Sequence, residues 1–206
     1  MSVRFRALLN RARRAVGRLL LFRIVFGERT QAGAPLASTR ISPSTCIEHP
    51  RGLQLGDHVF IGHFNFIEAL HGVRIDTGTQ ITNFVSVLTH SSHRSLRLMG
   101  SAYVEPTSDR PGLVTGPVHI GAWCFIGPHT VIEAGTRLGK GCLVESHSRV
   151  RGDFPDFSVI GGVPARVIGD TRDADSALLD QHPEWRAHYE AWAGPESRST
   201  PHSSSR

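Results

Sequence analysis

Cysteine is scarce in this chain of 206 residues: only Cys46, Cys124 and Cys142 are present, with no C-x-x-C pair among them. An odd count without paired spacing excludes the disulfide framework of a small secreted domain and predicts a reducing, cytoplasmic setting. Aromatic residues are few, at 7%, and there is no apolar stretch of the roughly 20 residues needed to span a bilayer. The apolar run from Leu19 to Phe26 is broken by Arg23, and no small-residue cleavage site follows it. Neither a membrane-spanning anchor nor a signal peptide is therefore expected. Acidic residues are missing from the first eighteen positions, which hold Arg4, Arg6, Arg11, Arg13, Arg14 and Arg18.

Glycine (21) and proline (12) are abundant beside 39% hydrophobic residues. Such a chain turns often yet keeps enough apolar side chains to fold, so disorder throughout is excluded. Its length suits one domain with short terminal additions. In the basic segment Phe5, Leu8, Leu9, Ala12, Val16, Leu19 and Leu20 follow helical spacing, which predicts an amphipathic basic helix. Two roles stay open for it: contact with an anionic membrane, or a cap on the first coil of the domain with its arginines in water. The cluster lacks interleaved aromatics or a recognised module, so nucleic acid is not an expected partner.

Internal periodicity decides the fold class. From Ile120 the chain reads I-G-A-W-C-F, I-G-P-H-T-V, I-E-A-G-T-R, L-G-K-G-C-L, V-E-S-H-S-R, V-R-G-D-F-P, with Ile, Leu or Val at every sixth residue. The same register runs earlier through Ile41, Ile47, Leu55, Ile61, Ile67, Ile75, Ile81 and Val87, with two extra residues at each of two corners. A period of six fits neither a helix nor an alternating strand, so each hexad is a very short strand plus a turn. Three hexads close a triangular coil, and coils stack at about 4.8 Å, the strand spacing of a parallel sheet. The prediction is an all-β, left-handed parallel β-helix. Its first hexad position points inward, a small residue stands at the fifth, and Gly56, Gly62, Gly121, Gly127 and Gly139 at the second ease the corner. Stacking at a separation of eighteen puts Cys124 over Cys142, His129 over His147, and Glu133 over Arg151 as an inter-coil ion pair. The cysteines are expected as small buried side chains, neither bridged nor metal-binding.

The expected organisation is a basic helix and lead-in over 1–40, the β-helix over 41–170 and a C-terminal helix over 171–193. A disordered Ser- and Pro-rich tail over 194–206 follows. The hexad rule breaks over residues 89–117, and a loop of that length in a regular solenoid is usually functional.

The hexads, the L-T-H-S-S-H-R segment at the loop base and G-G-V-P-A-R-V-I at 161–168 together resemble the hexapeptide-repeat acetyltransferases, in particular their sugar O-acetyltransferase and xenobiotic acetyltransferase branch. The resemblance covers roughly 41–170. It implies acetyl-CoA as a cosubstrate with no permanently bound cofactor and no metal, a sugar or glycan acceptor, and a homotrimer with its sites between subunits. It also implies a loop histidine as general base, since a neutral sugar hydroxyl is a poor nucleophile and imidazole titrates near neutrality. His93, followed by Arg94, best matches the family pattern, and His90 matches a variant of it. Asn65 in H-F-N-F resembles the family's acceptor-binding asparagine, the alternative being a fifth-position residue stacked inside the coil. Pro128, Ser146, Arg151 and Arg166 fall at positions that contact CoA, Arg151 substituting for the usual lysine of V-T-K-D. A cytoplasmic location is implied, peripheral to the inner face of a membrane through the basic helix. The competing readings are a nucleotide-sugar N-acyltransferase, a γ-type carbonic anhydrase drawing on histidines such as His58 and His63, and a β-helix scaffold without catalysis.

Overall fold

The computed structural model describes residues 3–105 and 110–194, without the side chains of Val3 and Arg4. Residues 195–206 of the tail expected over 194–206 and residues 106–109 of the loop lie outside the described residues. The described residues form a parallel β-helix of hexad strands with three faces. One face runs from Pro35–Ile41 through Phe60–Ile61, Gln80–Ile81, Phe125–Ile126 and Leu143–Val144 to Ser158–Gly162. The second stacks Cys46–Glu48, Phe66–Glu68, Ser86–Val87, Val131–Ile132 and Arg149–Val150; the third stacks Leu53–Leu55, Val73–Ile75, Val118–Ile120, Arg137–Leu138 and Asp153–Phe154. Antiparallel strands finish the first face at both ends, Val25–Arg29 below the first coil and Ala165–Asp170 above the last.

Aliphatic hexad positions meet in register down the axis. Ile41, Ile61, Ile81, Ile126, Val144 and Ile160 pair successively on the first face. Ile61, Ile67, Ile75, Ile81, Ile120, Ile126, Ile132, Leu138, Val144 and Val150 have no exposed surface. Each such side chain contributes about 1.5–3 kcal/mol by leaving water, so the register is enforced at every strand. Fifth positions are buried too, and their hydroxyls or thiols bond within the wall: Thr79 Oγ1 donates to Gly121 O (2.7 Å) and Cys124 Sγ to Gly139 O (3.1 Å). Cys124 and Cys142 are free thiols.

The corners turn by a rule the sequence reading placed differently. The left-handed residue is the fourth of the hexad, with positive φ at His58, Phe64, Phe84, Trp123, His129 and His147. Bulky residues are strained there, and stacking offsets the strain along one edge: Phe64, Phe84, His129 and His147 form a ladder with ring centroids 5.3, 4.9 and 4.9 Å apart. The second-position glycine is needed for close approach instead: a Cβ on Gly127 would lie 2.6 Å from Ser146 N of the next coil.

Helices decorate the prism. α1 (Val3–Leu21) precedes the first edge strand. α2 (His93–Met99) lies in the segment that leaves the third coil after Ser86–Val87 and returns at Val118–Ile120. α3 (Thr171–Gln181) and α4 (Arg186–Ala193) replace the single expected helix, because Pro183 lacks an N–H and interrupts the helical bonding. The last helix is fastened by Trp192 against Trp123 and Phe157 and by Lys140 Nζ, which donates to Ala193 O (2.7 Å). One expected ion pair is corrected: the register keeps the separation of eighteen, but the carboxylate of Glu133 meets Arg149, at 3.8 Å, rather than Arg151, two residues further along the same coil. Both groups are partly exposed, so the pair adds little stability.

Candidate functional site

The site begins with a corner that carries two extra residues. Glu68 ends its strand there, 2% exposed, and points toward the base of the loop. Its Oε1 accepts from Leu70 N (2.6 Å), and its Oε2 accepts from Thr89 N (2.9 Å), Thr89 Oγ1 (2.6 Å) and His90 Nδ1 (2.8 Å). Burial by itself would raise the carboxyl's pKa, but the hydrogen bonds from Thr89, Leu70 and His90 overcome it and hold the value at about 2. A carboxylate can only accept, so Nδ1 of His90 carries the proton and Nε2 is left as the basic nitrogen.

His90 opens on a cavity of about 320 Å³ at the edge between the second and third faces, where Leu88 and the loop residues Ser91, His93 and Val114 meet Glu133, Arg149 and Arg151. A short antiparallel neck closes the loop, pairing His90 with Thr115 and Ser91 with Val114. Inside the loop, Ser95 is fully buried and donates to Pro111 O (2.8 Å), and Arg110 lies over the Tyr103 ring at 4.8 Å. The neck and the bond to Glu68 fix the position of His90 at the loop base.

The candidate residues are thereby sorted. His93, in the first turn of α2, lines the same cavity but is exposed, with its Nδ1 2.8 Å from Ser91 Oγ. Asn65 is bonded at both ends of its amide inside the wall, donating to Thr82 O (2.7 Å) and accepting from Val85 N (2.7 Å). It is 2% exposed and occupies the fifth position inside the coil, the alternative the sequence left open for it. Pro128 and Ser146 line a shallow groove of about 410 Å³ with Leu143 and Glu145, on the edge between the first and second faces. Arg151 lies instead in the His90 cavity, and Arg166 is exposed on the strand Ala165–Asp170. The four CoA candidates thus do not share one groove within a single chain. His63 Nδ1 is bonded to Ser42 Oγ (2.7 Å), and among the described residues no three His, Cys, Asp or Glu side chains converge on a metal position.

Sequence reasoning missed Glu68 and Arg149. The available signal for Glu68 was the eight-residue step from Ile67 to Ile75, which marks the one widened corner beside the loop.

Fold and site together define a parallel β-helix of hexad strands with an imidazole–carboxylate pair at the neck of its one long insertion. No protein-family profile matches the chain. It is 29% identical over 144 residues to a probable acetyltransferase of Mycobacterium tuberculosis, an alignment covering 70% of this chain and 46% of that one. It is 32% identical over 114 residues to a putative lipopolysaccharide biosynthesis O-acetyl transferase of Escherichia coli, covering 54% and 57%. The chain thus spans about half the length of these curated relatives. Among solved structures it matches a hexapeptide-repeat acetyltransferase of Vibrio cholerae complexed with acetyl coenzyme A, with a TM-score of 0.56, 21% identity, and coverage of 79% of this chain and 78% of that one. The chain is thus similar in sequence to proteins named as acetyltransferases, and in fold to a hexapeptide-repeat acetyltransferase.

Proposed function

We propose that this chain is an acetyl-CoA-dependent O-acetyltransferase acting on a hydroxyl of a sugar or glycan, with His90 as general base and Glu68 as the residue that orients it. The observation that carries the reading is the bond between buried, ionised Glu68 and His90 Nδ1 at the mouth of the cavity. In the proposed step Nε2 of His90 takes the acceptor hydroxyl proton as the oxygen attacks the thioester carbonyl. The tetrahedral intermediate then expels the CoA thiolate, which recovers that proton from the imidazolium. Glu68 holds the productive tautomer and stabilises the transient positive charge, as an orienting carboxylate does in other imidazole-based sites. His93, which has no carboxylate partner among the described residues, is second in this scheme.

The proposed coils wind left-handed, residues 41–170 are the catalytic unit, and the working assembly is a homotrimer. Support for a shared site comes from the CoA candidates: Pro128 and Ser146 lie on one edge of the prism, Arg151 and His90 on the next. A ligand that meets both sets is held between two copies, with Arg166 contributing from the last strand. The proposed location is the cytoplasm, at the inner face of a membrane.

The test is acetyl transfer to a panel of sugars, followed by thiol release. His90→Ala is expected to lower kcat by ~10² to 10⁴ with KM for acetyl-CoA nearly unchanged, and His93→Ala to be milder. The reverse order would move the base to His93. Wild-type turnover in both variants would end the acyltransferase reading.

A further inference from the structure

α1 turns four large apolar side chains of its stripe to solvent, while Leu9 of the same stripe is half-buried. Leu8, Val16, Leu19 and Leu20 are 65%, 54%, 61% and 61% exposed, and at 100° per residue they fall with Ala12 inside an arc of about 120°. Arg6 and Arg13 border that arc on one side and Arg11 and Arg18 on the other, all exposed, and the first acid in the chain is Glu28. The C-terminal end of the helix is tied down by Phe22, which meets the His63 and Phe64 rings at 5.4 Å each. The next segment, the edge strand Val25–Arg29, exposes Val25 and Phe26, 41% and 63% accessible. At the same end of the prism Ile41, Ile47, Leu53 and Leu55 of the first coil line an open bowl of about 620 Å³ together with Glu28, Arg29 and Arg51.

We infer that α1 and the N-terminal end of the prism form a docking surface for an anionic bilayer, and that the acceptor is therefore a saccharide carried on a membrane lipid. The apolar stripe enters the acyl boundary while the flanking arginines extend their stems along it and hold their guanidinium groups at the phosphates. A second copy of the chain is a poor occupant, because pairing two α1 stripes sets arginines against arginines, and α1 itself carries no acid to offset them. A nucleic acid has no use for exposed leucines.

The consequence for the acceptor rests on the proposed His90 site. Val25–Arg29 is followed by the first, second and third coils, and His90 leaves the third. Three strand spacings raise it about 14 Å along the axis from that edge strand. A hydroxyl at that height belongs to the first few sugars above a lipid headgroup.

The experiment uses the full chain with vesicles of phosphatidylcholine alone or with 30 mol% phosphatidylglycerol. Expected is sedimentation with the anionic vesicles only, reversed by added salt. Replacing Arg11, Arg13 and Arg18 by Gln should weaken it roughly 100-fold, and Leu19→Gln should also weaken it, with the thermal unfolding of the prism unchanged in both variants. With Phe26→Trp, brominated lipids are expected to quench the added emission. Equal or no binding to the two vesicle types would overturn the inference, as would light scattering showing that Leu19→Gln dissolves a complex between copies. Quenching of Leu20→Trp but not of Phe26→Trp would overturn the end-on orientation. Failure here is separable from failure of the acyltransferase reading: the α1 variants should keep turnover on a soluble sugar, and His90→Ala should keep vesicle binding.

Discussion

At the scale of single residues, Glu68 accounts for most of the site's behaviour. Folding lowers its pKa from 4.5 to about 2, so the stabilisation it provides is complete above pH 4.5 and is lost as pH falls through 2. The shift corresponds to on the order of 3 kcal/mol. Urea unfolding should show wild type above Glu68→Gln by this order near neutrality, with the gap closing between pH 4.5 and 2. A gap that persisted at pH 2 would deny the ionised, hydrogen-bonded carboxylate. The sequence hid this residue because its partner is His90, 22 positions away across a widened corner and a change of direction. Ranking His93 first relied on the residues beside each histidine; the ranking turns over in the proposed mechanism because orientation by a buried acid is a property of the folded neck.

The elements were far more legible. A six-residue aliphatic period has one compact solution, and inward positions such as Ile126 and Leu138 could be named before any coordinate was known. Less visible was the division of labour within the corner, since second-position glycines and fourth-position residues both sit where the chain turns, and only the backbone angles tell them apart. Gly127 is crowded by the next coil, whereas Gly135 has open space around its missing Cβ but φ of 77°. Gly127→Ala is therefore expected to lower stability by about 1–3 kcal/mol through overpacking. Gly135→Ala should cost only about 1 kcal/mol of left-handed strain. Chemical denaturation of the two variants checks the order. The break between α3 and α4 was also written in the sequence at Pro183, and the helical period on either side concealed it.

For the whole molecule, the proposed homotrimer is the reading to test. A proposed CoA contact divided between two edges requires copies to sit side by side, so sedimentation should give three times the 22.5 kDa chain. Mixed trimers offer a sharper check. His90→Ala and Ser146→Trp, each inactive alone, should regain part of the turnover when co-expressed, because some interfaces then join two intact halves. Complementation would not occur if one chain held a complete site.

The neck formed by His90–Ser91 and Val114–Thr115 has a further consequence. The chain leaves the third coil and rejoins it in register, Ile120 against Ile75 as though nothing intervened. Lengthening a segment whose ends are already pinned adds only a logarithmic penalty, about 0.6 kcal/mol per doubling. What the excursion contains is thus uncoupled from what holds the prism up. Beyond Thr89 and His90, which are bonded to Glu68, the residues of the insertion can therefore change while the scaffold stays as it is, which makes the insertion an exchangeable cartridge and the prism its socket.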